Sequence, residues 1–61
     1  MNSLEYVKSF NGLSVNGETW NKIRHNPNVK LISMLGIHDP EKGIKHEIIL
    51  NNKQIIFVYL N

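Results

Sequence analysis

Apolar residues follow two regimes along this chain. Up to Asn26 they recur at helical spacing among polar ones; from Val29 onward they alternate or run together. Leu4, Val7 and Phe10 lie three apart, so Ser3 to Phe10 reads as a short amphipathic helix. Asn2 or Ser3 supplies its cap and Gly12 is placed to end it. Glu5 and Lys8 then sit together on the wet side.

The segment Leu13 to Asn26 supports two readings. Asn16-Gly17 is a two-residue hairpin signal. The same Asn16 also suits the cap of a helix over Glu18 to His25. Trp20 and Ile23 would share the inner face of that helix. Asn26-Pro27 would stop it, because the residue before proline is pushed out of the helical region. The spacing favours the helix without excluding the hairpin.

From Val29 the pattern is β. Val29 to His38 alternates, Asp39-Pro40-Glu41-Lys42-Gly43 has turn chemistry, and Ile44 to Leu50 forms the next strand. Asn51-Asn52 fits a two-residue turn, because Asn tolerates positive φ. The last strand, Gln54 to Leu60, contains six consecutive apolar residues, Ile55 to Leu60. Such a run suits a strand covered on both faces. A plain meander would leave it at the sheet edge, where a long apolar strand is a liability. Pairing with a symmetry mate would make it central, and so would adding Leu13 to Val15 as a strand beside it.

The turns set which side chains share a face. A two-residue Asn51-Asn52 turn pairs Ile48 with Ile55 and His46 with Phe57. A four-residue loop from Pro40 to Gly43 pairs Ile37 with His46 and Leu35 with Ile48. One face then carries Val29, Leu31, Leu35, Ile37, Ile44, Ile48, Leu50, Ile55, Phe57 and Tyr59, and the helices would pack on it. The other face carries Ile32, Met34, Ile49, Ile56, Val58 and Leu60 among Lys30, Lys45 and Glu47. These six apolar residues are the expected protein interface. The predicted fold is a single α+β domain over residues 1–61. One or two short N-terminal helices pack on a three-stranded antiparallel β-meander.

Composition narrows the function classes. The chain has 61 residues and no cysteine, so disulfides and thiolate zinc sites are out of reach. A domain this small gains little net stability from its own core, which makes a homodimer a natural expectation. No apolar stretch is long enough to span a membrane and no leader pattern is visible, so a cytoplasmic protein without a membrane partner is expected. Asn, Ile and Lys make up 23 of the 61 residues, beside one Arg. All three have AT-rich codons, which fits a phage or mobile-element regulator or inhibitor.

Net charge is only +2 and the cations are dispersed, unlike the footprint of a strong polyanion binder. The segment from Trp20 to Lys30 still offers an alternative reading. Lys22, Arg24 and Lys30 would contact nucleic-acid phosphates, with Asn21 reading a base edge. Against it stands an ordinary amphipathic helix with Trp20 in the core.

Chemistry-bearing residues do not converge. His25, His38 and His46 are spread along the chain, and the register above points His38 and His46 to opposite faces. His46, between Ile37 and Phe57, reads as a core imidazole bonded to backbone. The five carboxylates are scattered, the serines lack a nucleophile-elbow setting, and the glycines form no phosphate loop. No catalytic residue, cofactor or metal site is therefore expected. The leading expectation is a non-enzymatic protein-interaction module acting through an apolar sheet face or edge.

Overall fold

Two asparagines open the two helices. In the computed structural model, which describes residues 2–61, helix α1 spans Ser3–Lys8 and helix α2 spans Gly17–Arg24. The Asn2 side chain accepts from the Glu5 amide at 2.8 Å, and Asn16 accepts from the Thr19 amide at 2.9 Å. Each satisfies a donor that the first helical turn leaves free. Asn16-Gly17 is thus a helix start, and the hairpin reading of that dipeptide falls away.

Four strands complete the fold: β1 (Ser14–Val15), β2 (Val29–Asp39), β3 (Gly43–Leu50) and β4 (Ile55–Leu60). Their order across the sheet is β1-β4-β3-β2, with β1 parallel to β4 and the remaining pairs antiparallel. The architecture is α+β, but the sheet is four-stranded and mixed, not a three-stranded antiparallel meander. The added strand is the Leu13–Val15 segment. The Phe57 amide donates to Asn11 Oδ1 at 3.0 Å, and its carbonyl accepts from the Gly12 amide at 2.6 Å. The Tyr59 amide donates to the Leu13 carbonyl and the Asn61 amide to that of Val15. The last strand is therefore central within its own chain, and no symmetry mate is needed to cover its edge.

Both hairpins depart from the expected register, and each departure reverses a face. Leu50 pairs with Gln54 through its amide, and the Lys53 amide donates to the Leu50 carbonyl, so the loop is the three residues Asn51–Lys53. Lys53 has φ 72°, the left-handed residue that completes a three-residue hairpin. Asn51 is tied to the neighbouring loop: its amide donates to the Asn28 carbonyl and its side chain to that of Pro27, both at 2.8 Å. Ile48 consequently faces Ile56, not Ile55, and His46 faces Val58, not Phe57.

At the other hairpin Asp39 pairs with Gly43 around a three-residue loop. Gly43 has φ 107°, and a β-carbon there would overlap the Leu60 carbonyl, so only glycine fits. A bulge between Met34 and His38, with Gly36 at φ 73°, adds two residues to β2 and sets Met34 opposite His46. Residues assigned to opposite faces by the simple turns therefore exchange sides on β4 and, from Leu31 onward, on β2, while those on β3 stay put. Val29, opposite Leu50, keeps its expected place against the core because a second irregularity separates it from Leu31.

The core lies between the helices and one side of the sheet. Val7 and Ile23 bring the helices down onto Ile48, Leu50, Ile56 and Val58, with Val15 closing the margin. Leu4, Phe10, Trp20, Val29 and Ile32 pack around this centre. Asn26 pins the entry of α1 to the α2–β2 loop, donating to the Ser3 carbonyl at 2.8 Å while accepting from the Asn28 amide at 2.8 Å. Among the described residues no buried side-chain polar atom lacks a partner.

Candidate functional site

The helices cover one side of the sheet, and the other side is left open. The register places three rows of side chains on this outer face. Leu31, Ile49 and Ile55 form an aliphatic row across β2, β3 and β4. Ser33, Glu47 and Phe57 form the next row. Lys45, Tyr59 and Ser14 form the third, where β1 joins. Phe57 and Tyr59 are two apart on the central strand and so point the same way.

Cations lie over both rings. Lys45 Nζ is 4.6 Å from the Phe57 ring centre and 6.0 Å from that of Tyr59, and Lys42 Nζ is 5.1 Å from Tyr59. At exposed sites such contacts contribute about 0.5–1 kcal/mol. Lys42 is held in place by two further bonds: its ammonium donates to the Gly12 carbonyl at 3.2 Å, and its own carbonyl accepts from Ser14 Oγ at 2.6 Å. The aromatic end of the face is thus screened by lysine stems, while Leu31 and Ile55 at the aliphatic end stay half exposed.

The six expected interface residues do not form one surface. Ile56 and Val58 are buried in the core, and Ile32 and Leu60 lie half-buried on the helix side. Met34 is on the helix side too but is 66% exposed. Only Ile49 belongs to the open face. The cause is the reversal of β2 and β4: Leu31, Ile55, Phe57 and Tyr59, expected in the core, line the open face instead.

Lys22, Arg24 and Lys30 are exposed, but the aromatic of that segment is engaged. Trp20 packs on the core with its ring 4.5 Å from that of His46. His46 is buried, and its Nδ1 lies 3.0 Å from the Ile44 carbonyl. That is the backbone-bonded core imidazole expected from the sequence. His38 pairs with Ile44 and so shares the helix side with His46, not the opposite face. His25 Nδ1 is 2.7 Å from the Asn21 carbonyl. Among the described residues no three metal-ligating side chains come together, and no helix is long and apolar enough to cross a membrane. The chain matches no protein family, no curated protein and no solved structure.

Proposed function

We propose that this chain is a small, non-enzymatic protein-binding module of the cytoplasm that engages its partner through the outer face of the sheet. The observation that supports this reading is the row Leu31, Ile49 and Ile55, which no helix covers, beside Phe57 and Tyr59 under their lysine stems. The chain exposes 4079 Å², close to the roughly 4,100 Å² expected of a compact monomer of its mass. Its apolar exposure is therefore a matter of placement, not of a loose fold. A contiguous apolar face on a compact molecule marks an interaction site. Lys45 and Glu47, on the inner strand β3 of the same face, give the contact charge of both signs, which sets register more than strength.

Ile55→Lys tests this. Ile55 is half exposed, so the variant keeps its fold, seen as an unchanged far-ultraviolet circular dichroism spectrum. Protein captured from a nuclease-treated native lysate by the unmodified chain should be lost with the variant. Capture that survives Ile55→Lys counts against the outer face. Capture that depends on nucleic acid and weakens steeply with salt would favour the reading built on Lys22, Arg24 and Lys30.

A further inference from the structure

Large exposed apolar side chains are concentrated at one edge of the sheet. Of the seven in the described chain, Leu31, Met34, Leu35 and Ile37 belong to β2, and Ile44 is paired with β2 at His38. β2 is the long edge strand, and the opposite edge, β1, has two residues. Isolated edges are ordinarily guarded by charge, proline or a bulge, and the two irregularities of β2 lie on either side of the regular stretch Leu31–Met34. In β2 the charged residues are Lys30 and Asp39, near its two ends, and there is no proline. Moreover, apolar side chains stand on both sides of the sheet here, with Leu31 on the outer face and Met34 and Ile44 on the helix side.

We infer that β2 pairs with β2 of a second copy, joining two sheets into one of eight strands. An added peptide strand alone would leave Met34 and Ile44 uncovered, whereas a second copy brings a strand and the layer beside it. At about 200 Å² for a fully exposed residue of this size, the five residues offer at most about 500 Å² per copy, or about 1,000 Å² in a pair, which reaches the floor for a specific interface.

In a two-fold antiparallel pair one residue faces its own copy. An axis at Ser33 sets Ile32 opposite Met34 of the second copy within the regular stretch Leu31–Met34. Moving the axis to Met34 would carry the pairing into the bulge before His38. The pairing covers Leu31 and leaves Ile49, Ile55, Phe57 and Tyr59 of both copies open. It goes beyond the protein-binding reading and does not depend on it.

The purified chain should sediment at twice its 7.1 kDa mass at tens of micromolar. Met34→Lys, at a highly exposed position, should keep the circular dichroism spectrum and weaken self-association at least about tenfold, the loss expected for a buried unpaired charge. The chain has no cysteine, so Ser33→Cys introduces a single thiol. Facing residues of an antiparallel pair are about 4.5–5.5 Å apart at Cα, within disulfide reach. Ser33→Cys should therefore cross-link on mild oxidation faster than Glu18→Cys, which lies on the exposed side of α2. A monomer at every concentration up to about 1 mM, a range covering even weak association, would overturn the pairing. So would a dimer indifferent to Met34→Lys, or one whose Ser33→Cys form cross-links no faster than the control. If the chain is monomeric and Ile55→Lys still abolishes partner capture, the pairing fails while the protein-binding reading stands.

Discussion

Neighbouring isoleucines of β4 give the sharpest test of the fold. Ile56 is 4% exposed and faces the helices; Ile55 is 51% exposed on the outer face. Isoleucine to alanine removes three side-chain carbons. At about 0.8 kcal/mol for each buried one, Ile56→Ala loses about 2.4 kcal/mol of transfer energy, and the cavity left beside Ile48 brings the cost to about 3 kcal/mol. At Ile55 half of that surface is already wet and no cavity forms, so the cost is about 1 kcal/mol. A domain of this length has roughly 3–9 kcal/mol in all, so the first variant sits near the limit of folding. Urea titration at low micromolar concentration, followed by fluorescence of the one tryptophan, measures both. With a slope of about 1 kcal/mol per molar, the midpoint should fall by about 3 M for Ile56→Ala and about 1 M for Ile55→Ala. An equal or larger loss at Ile55 would refute the three-residue hairpin, because the two-residue turn demands that order.

Three further outcomes follow. Lys53 occupies a left-handed conformation that costs a side-chain-bearing residue about 1–2 kcal/mol, so Lys53→Gly should raise stability by about 0.5–1 kcal/mol; a lower thermal midpoint would contradict that turn. Asn26→Ala removes the donor to Ser3 and the acceptor for Asn28 together, and should cost about 2 kcal/mol by urea titration, with faster hydrogen exchange in α1. Asp39 accepts the backbone N–H groups of Lys42 and Glu41, which hold its carboxyl below the ordinary aspartate value. Its contribution is therefore present above about pH 4 and lost as pH falls through the lowered folded value, so the gap in thermal midpoint between the parent and Asp39→Ala should close in acid.

What could be read from sequence was local. Leu4, Val7 and Phe10 marked α1, Asn16 marked the start of α2, and Asn26-Pro27 marked its end. Each of these signals is carried by a few adjacent residues. The strands were legible as strands, but their faces were not. Face assignment depends on whether a loop has two or three residues, and Asn51-Asn52-Lys53 has no glycine to show that Lys53 is left-handed. Its cause lies elsewhere in the chain, in the bonds from Asn51 to Pro27 and Asn28. Gly36 was visible as a strand glycine, yet a glycine alone does not say how many residues a bulge adds. Lys45 and Glu47 lie on the face away from the helices as expected, but their neighbours there are Phe57 and Tyr59, whose rings the Lys45 stem covers, not Ile56 and Val58.

The central position of β4 has a kinetic consequence. Ser14 pairs with Tyr59 and Val15 with Leu60, while Ile44 meets Leu60 from the other side. A chain leaving the ribosome can therefore form its helices and the β2–β3 hairpin early. It cannot close the core until Ile56 and Val58 have emerged. Long-range pairing of this kind is slow to nucleate, because most of the chain must be ordered before the contact forms. The whole domain should behave as one cooperative unit. Amides of the short strand β1 and of β4 should then share one protection level in hydrogen exchange, with no stable fragment that lacks the last strand.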